Sequence, residues 1–206
     1  FAGAGEDDGA LWLGDGKRAF ARFTVADPLR PDAATAIAAL RRLGIAPRIL
    51  SGDAIAAVAA VASEVGVADY AARQAPEEKL AQVRALQASG HRVLMLGDGI
   101  NDAPVLAGAD VSMAMADGAP LAHRSADLVL TGSSLMRVPQ AVVLARRSQR
   151  IIRQNLGWAL AYNLLALPFA ALGWISPGLA ALGMAASSLV VTANALRLGR
   201  THEGGE

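Results

Sequence analysis

Between Gln154 and Leu196 the chain runs for 43 residues without one acidic or basic side chain. No other feature narrows the fold as much. A helix of that length would extend about 64 Å at 1.5 Å per residue, twice the ~30 Å hydrocarbon core of a bilayer. The stretch "WISPG" at 174–178 supplies the Pro and Gly that punctuate turns. Two helices of about 20 residues each are therefore expected, joined as a transmembrane hairpin. The rival arrangement, a buried helical hairpin in a large soluble protein, would have to hide this whole uncharged length from water. Arginines stand at both outer ends, with Arg146, Arg147, Arg150 and Arg153 before the first span and Arg197 and Arg200 after the second. The short connecting turn has none, so the positive-inside rule places residues 1–155 and the C-terminus in the cytoplasm.

The rest of the chain is of another kind. Hydrophobic residues make up 53% of the whole and mean hydropathy is +0.35, as expected of a mixed chain rather than a pure membrane bundle. Net charge is +1 and the basic residues are spread out, which excludes the electrostatic footprint of a nucleic-acid binder. There is no cysteine, hence no disulfide and no thiolate metal site. His91, His123 and His202 are too scattered for a ligand cluster. From Phe1 onward no charged segment leads into an apolar one, so no signal peptide is expected. The chain reads as a piece of something longer.

Before residue 150, short apolar runs alternate with helical patterns. "PRIL" at 47–50 precedes a helix near 54–65, "EEKLAQVRALQASG" is amphipathic and stops at Gly90, and "RVLML", "ADVSMAM" and "ADLVL" are strand candidates. Pro31 and Asp32 open a further helix that Gly44 ends. Such alternation implies a parallel sheet covered on both faces, with ligands outside the carboxyl ends of the strands.

The motif "GDGINDAP" at 97–104 falls at such an end. A carboxylate there, set between glycines that let backbone come close, suits Mg²⁺, which takes one or two carboxylates plus phosphate oxygens. Asp98 is the candidate ligand, with Asn101 and Asp102 orienting neighbours; taken alone, the motif is also an ordinary Gly/Asp/Asn turn. The triplet Ser51, Gly52 and Asp53 likewise ends a strand, and Ser51 can offer a hydroxyl and Gly52 a backbone N–H to an anion at a helix N-terminus, or the segment is a plain N-cap. Lys79 is one of only two lysines among 19 basic residues and is a candidate point charge on phosphate. Together these make a phosphoryl-transfer site that lacks its nucleophile.

"SGD", "PEEK", "GDGINDAPVL" and "ADLVL", followed by two apolar spans, resemble the C-terminal third of a heavy-metal P-type ATPase. The resemblance covers residues 11–200. It implies an α/β fold: a partial haloacid-dehalogenase-like phosphorylation domain with a Rossmannoid parallel sheet, followed by the two-helix transmembrane hairpin. It also implies roles. Ser51, Gly52, Asp53 and Lys79 would hold a phosphoryl group on an aspartate, Asp98 and Asp102 would serve Mg²⁺ and ATP chemistry, and Asn101 and Asp102 would hold the site together. The family usually has Thr at the position of Ser51; both supply a hydroxyl. Its phosphorylated aspartate lies in an Asp-Lys-Thr-Gly-Thr motif that this sequence does not contain. Asp27 is the one lookalike, without a partner Thr or Lys at the expected offset. The expected divisions are 1–26, the end of a nucleotide-binding insert and a return strand; 27–135, the phosphorylation domain; 136–155, a cytoplasmic connecting helix; 156–198, the two membrane helices; and 199–206, a tail.

An ion path should show as polar or soft side chains inside the spans. The first span offers Tyr162 and Asn163 shortly before Pro168; the second offers Met184, Ser187 and Ser188, spaced to share one helix face. A thioether favours Cu(I), whereas small residues and serines also serve as helix glue. "YN" and "MxxSS" resemble the copper-transporting branch of the family, and the lysine and aspartate expected of the zinc and cadmium branch are absent. "LWLGDG" and "DPLRPDA" resemble the copper ATPases of cytochrome oxidase assembly more than the detoxifying exporters. The expectation is a fragment of a Cu(I)-translocating ATPase of a bacterial inner membrane, inactive alone. Its partners would be the remaining domains of the same ATPase, the lipid bilayer and a copper chaperone. Alternatives are a membrane-anchored phosphatase of the same fold using Asp27, a pump for another metal, and a noncatalytic regulatory protein.

Overall fold

The computed structural model describes residues 11–15, 17–23, 28–98 and 100–199, and the chain divides into two units between Pro139 and Gln140. The first unit opens with an antiparallel hairpin of β1 (Leu11–Gly14) and β2 (Ala19–Phe23). The Asp15 carboxylate accepts the backbone N–H groups of Lys17 and Arg18, which sets the turn. Then α1 (Ala33–Arg42), β3 (Ile49–Leu50), α2 (Ile55–Glu64), β4 (Tyr70–Ala71), α3 (Pro76–Ala88), β5 (Leu94–Gly97), a short 3₁₀ turn (Ile100–Asp102), α4 (Ala103–Gly108), β6 (Val111–Ala114), α5 (Pro120–Ser125) and β7 (Leu128–Val129) follow. β3 pairs with β4, and β5, β6 and β7 form a three-stranded sheet; every one of these pairings is parallel. Parallel neighbours require a crossover, and α2, α4 and α5 provide it.

The strands are short and apolar because they are covered. Leu106, Ala114 and Ala122 bury together with Met95 and Ala126 against them, and Ala33, Val65 and Val67 bury with Leu29, Ile37, Ile49 and Leu135. Among the described residues the one buried polar side chain in the core is Ser112, and Asp127 Oδ2 accepts both its N–H at 2.8 Å and its hydroxyl at 2.9 Å. α1 ends where expected, with Gly44 at φ +75°. Its N-cap residue, Asp32, does not cap it: the Asp32 carboxylate instead accepts Ser134 Oγ at 2.6 Å and Met136 N–H at 3.1 Å, 102 and 104 residues away. α3 starts on Pro76 with Glu77 and Glu78 in its first turn, a favourable end for negative charge.

The second unit is helical, formed by most of α6 (Arg137–Ala171) and by α7 (Pro177–Leu196). Three features of this unit bear on the expected hairpin. α6 is continuous for 35 residues, so the connecting helix and the first span are one helix, with Pro168 inside it. The turn lies at 172–176 rather than 174–178: Gly173 takes φ +74°, Ser176 is the N-cap, and Pro177 and Gly178 already belong to α7, since Pro fits a helix's first position. Among the described residues one helix, α7, is long and apolar enough to cross a membrane. The uncharged half of α6 is less apolar because it carries Gln154, Asn155, Tyr162 and Asn163. No residue of α7 is buried, although the helix is apolar on every side. Helices of that kind belong inside a large core or a membrane.

Candidate functional site

β5 delivers Asp98 to the carboxyl end of the three-stranded sheet, the position where ligands of parallel sheets sit. Its carboxylate is exposed while its backbone is fixed: the Asp98 carbonyl accepts Ala119 N–H at 2.8 Å. Gly118 lies against it so closely that an added Cβ would stand 3.0 Å from the Asp98 carbonyl oxygen and 2.9 Å from that of Met115. Only a residue without a side chain allows that approach. On the other side the 3₁₀ turn folds Asp102 back over Gly97, where a Cβ would meet Asp102 Cβ at 3.0 Å and Oδ2 at 3.2 Å.

Lys79 comes from α3 and donates from Nζ to Asp102 Oδ1 at 2.9 Å. The two side chains are 13% and 14% exposed, so this ion pair is largely withdrawn from water. An exposed helical lysine would be the default; the pairing places Lys79 beside the acidic turn, and its remaining donors are available to an anion. Asn101 is exposed.

Ser51, Gly52 and Asp53 form a tight local turn in which Ser51 Oγ donates to Asp53 Oδ2 at 2.6 Å and accepts Asp53 N–H at 3.2 Å. The segment entering α3 clamps it: Ser51 N–H bonds the Ala71 carbonyl, Gln74 N–H bonds the Ser51 carbonyl, and Arg73 N–H bonds the Asp53 carbonyl, each at 2.9 Å. Gln74 in turn accepts from Gln82 of α3, one turn beyond Lys79. The expected helix N-terminus at Ser51 is corrected: α2 starts at Ile55 with Ala54 as N-cap, because the Ser51 hydroxyl is committed to Asp53. Lys79 and Asp102 are thus brought together, and Ser51 to Asp53 are held on the same α3 scaffold. No hydrogen bond joins Ser51 to Lys79 or Asp98 among the described residues. Asp27 lies outside the described residues.

The donor set suits Mg²⁺. Mg²⁺ is usually held by one or two carboxylates together with water and phosphate oxygens. One exposed carboxylate on a rigid backbone, Asp98, is the fitting ligand. Sequence reasoning missed Gly118 and the Gln74–Gln82 link; glycine signals a turn but not which backbone it approaches.

In the second unit Trp158 Nε1 donates to Ser187 Oγ at 3.0 Å, and Tyr162 packs so near Gly183 that a Cβ there would lie 2.7 Å from the phenol oxygen. Asn194 Nδ2 donates to Asn155 Oδ1 at 2.8 Å and to Gln154 Oε1 at 3.3 Å. Tyr162 and Ser187 therefore face the α6–α7 contact. Asn163, Met184 and Ser188 are exposed, Met184 at 69%, so the five expected path residues are not gathered within this hairpin. Trp158, Asn155 and Asn194 are the polar contacts that sequence reasoning passed over.

A parallel sheet with an acidic turn at the carboxyl end of its edge strand β5, backed by a shielded Lys–Asp pair, is an arrangement suited to a hydrolase of the α/β class. Residues 3–110 match the haloacid dehalogenase-like hydrolase family, to which the chain belongs. Curated relatives include proteins named as cation-transporting and copper-exporting P-type ATPases. The chain is 46% identical over 188 residues to the nitrogen fixation protein FixI of Rhizobium meliloti (strain 1021), covering 91% of this chain and 25% of that one. It is 43% identical over 176 residues to a copper-exporting P-type ATPase of Staphylococcus aureus (strain JH9), covering 85% and 22%. A zinc-transporting PIB-type ATPase solved in its E2.Pi state superposes with a TM-score of 0.79 at 41% identity, over 84% of this chain and 28% of that one. The chain spans about a quarter of the length of these curated relatives.

Proposed function

We propose that the chain is the back half of the phosphorylation domain and the last two membrane helices of a Cu(I)-translocating P-type ATPase, in which ATP hydrolysis through an aspartyl phosphate drives ion export. The observation that carries this is the shielded Lys79–Asp102 pair beside Asp98 at the end of β5. In this reading Lys79 and Gly52 N–H hold the phosphoryl group together with the Ser51 hydroxyl, whose one hydrogen would turn from Asp53 to a phosphoryl oxygen; the Asp53 N–H keeps Ser51 Oγ in place; Asp102 holds the Lys79 ammonium in place; and Asn101 steadies the turn. Asp98 is the Mg²⁺ ligand. Bound there, Mg²⁺ would neutralise charge on the phosphoryl oxygens. The phosphorylated aspartate belongs to a part of the protein not among these 206 residues, so they do not hydrolyse ATP alone.

Relatives named for copper and for zinc lie at similar identity, so the ion is argued from chemistry. Met184 brings a thioether, the soft donor that favours Cu(I), and Tyr162, Asn163, Ser187 and Ser188 line the path with neutral polar groups. Those of them that are exposed in the hairpin would face the other helices of the pump. The uncharged half of α6 and α7 span a bacterial inner membrane, with residues 1–155 and the tail in the cytoplasm; the domain divisions at 26, 135, 155 and 198 go with that topology. The remaining domains of the ATPase are its partners, and a copper chaperone would deliver the ion.

The test is ATPase activity of the full-length protein with Cu(I) and with Zn²⁺, alongside Met184→Ala and Lys79→Ala. Stimulation by Cu(I), lost in Met184→Ala, supports the pump and its ion. Stimulation by Zn²⁺ alone sinks the copper assignment, and full activity in Lys79→Ala sinks the site.

A further inference from the structure

Arg30, within "DPLRPDA", takes no part in the site proposed above, yet its guanidinium joins two loops. Nη2 donates to Asp117 Oδ2 at 2.9 Å, in the loop after β6, and Nη1 donates to the Ser133 carbonyl at 2.8 Å, in the loop between β7 and α6. These partners lie 87 and 103 residues along the chain. Both loops leave the carboxyl ends of parallel strands, the same end of the sheet at which β5 releases Asp98.

Arg30 is itself anchored. Leu29 packs with Ala33, Val65, Val67 and Leu135 in the core, and the Arg30 carbonyl accepts Ala33 N–H at 3.0 Å. Asp32, two residues on, holds Ser134 and Met136 of the same β7–α6 loop. The Arg30 and Asp117 side chains are 29% and 56% exposed, and an ion pair so open to water adds little stability by attraction alone. What it adds is direction: a planar guanidinium with one donor on each of two loops fixes one relative to the other. Asp117 adjoins Gly118, whose backbone lies against Asp98, and Ala119 N–H bonds the Asp98 carbonyl at 2.8 Å. The 115–119 loop is therefore the bed on which Asp98 rests, and Arg30 ties down its exposed corner.

We propose that Arg30 is a positioning residue for Mg²⁺: by bridging Asp117 to Ser133 it holds the 115–119 loop against Asp98 and so sets where the Asp98 carboxylate points. The proposal rests on the reading of Asp98 as the Mg²⁺ ligand. Groups that hold a metal ligand in place are typically worth about 10- to 100-fold in metal affinity.

The test uses the full-length protein with beryllium fluoride as a phosphoryl analogue and Mg²⁺ titrated, read by hydrogen exchange of peptides covering 94–98 and 115–119, which needs no turnover. Arg30→Met and Asp117→Ala are each expected to raise the Mg²⁺ concentration for half-maximal protection about tenfold. The double variant is expected to be no worse than Arg30→Met, because both changes remove the same bond. Asp117→Ala leaves the Arg30 bond to Ser133 in place, so it decides the matter where Arg30→Met does not fold. Arg92→Met, which breaks the Arg92–Asp110 pair at the opposite ends of β5 and β6, is the control and is expected to leave the midpoint unchanged. An unchanged midpoint in Asp117→Ala, even with faster exchange at 115–119, overturns the proposal and leaves Arg30 a structural tie. An equal shift in Arg92→Met overturns it as well, as a general loss of stability. Asp98→Asn separates the two readings: a wild-type midpoint in that variant sinks the Mg²⁺ site itself, whereas a lost response there with Asp117→Ala unaffected sinks only the role of Arg30.

Discussion

The two units use polar residues in opposite ways. In the first, polar side chains pair to hold charge in place: Lys79 on Asp102, Ser51 on Asp53 and Ser112 on Asp127. In the second, they join the uncharged half of α6 to α7, as Trp158 does with Ser187 and Asn155 with Asn194. Close-packed glycines serve a different end in each. Gly97 and Gly118 press backbone against the acidic turn, whereas Gly183 of α7 makes room for the Tyr162 ring of α6 and Gly157 has open space where a side chain would go. Under the proposed membrane reading, the difference follows from the solvent each unit is built for. Where charge must be stored, its cost of burial is met by a specific partner; where the surroundings are apolar, the problem is to bring two helices together.

The sharpest way to break the comparison is to remove one member of the shielded pair. Lys79→Ala leaves Asp102 partly buried without its cation, a loss on the order of 2 kcal/mol after discounting for residual exposure. It also takes away the ammonium proposed to meet the phosphoryl group, for which a loss of 10²-fold or more in ATP hydrolysis is on the scale of removing a preorganised donor. Steady-state ATPase rates and phosphoenzyme yield of the full-length protein check this. A Lys79→Ala protein within a few-fold of wild type would show the pair to be structural only.

Much of this was legible in the sequence, for reasons that differ between the units. "GDGINDAP" after an apolar run marks Asp98 at a strand end, and the strand and helix alternation marks the parallel sheet. The pairing of Lys79 with Asp102 spans 23 residues and two elements, and no local period encodes it. Asp32 has the position of a helix cap, yet a serine 102 residues away takes its side chain. In the hairpin, the absence of charge announced the length, but the polar content of α6 was outweighed in the eye by its leucines. Which side chains of α6 meet α7 depends on helix rotation, and a run of apolar residues leaves that open.

A smaller effect is expected from the glycines. Gly118→Ala drives a Cβ into two carbonyl oxygens at 2.9 and 3.0 Å, which backbone cannot evade cheaply; a cost of about 1–3 kcal/mol is expected, with weaker Mg²⁺ binding as Asp98 moves. Gly157→Ala meets nothing within 4 Å and is expected to stabilise α6 by up to about 1 kcal/mol. Thermal melts of the full-length protein, with Mg²⁺ titrated for the Gly118 variant, separate them. Equal effects would erase the contrast between the units. Smaller still is Asn194→Ala, expected to cost about 0.6 kcal/mol, the usual worth of an interhelical hydrogen bond in a membrane; a denaturation curve in mixed micelles measures it.

The smallest expected effect is a response to acid confined to the first unit. The Ser134 hydroxyl, with the Met136 N–H beside it, holds the Asp32 carboxyl below the usual range, and the Arg30 guanidinium does the same for Asp117. A carboxyl whose folded pKa is depressed contributes stability above its unfolded value, about 3.9, and that contribution disappears as pH falls through the lower folded value. Residues 140–201, which hold both helices of the second unit, have no carboxylate or histidine side chain, so the charge of these helices does not change over the same interval. Hydrogen exchange with peptide resolution, taken from neutral pH down to about 3 with the intrinsic rate corrected at each step, should therefore show α1 and the 133–136 segment opening first while α6 beyond Gln154 and α7 hold their protection. Asp32→Asn should open α1 already at neutral pH and flatten its acid response. If the hairpin opened together with the first unit, the two would share one stability, and the division of labour between stored charge and helix glue would have to be replaced by a single cooperative structure.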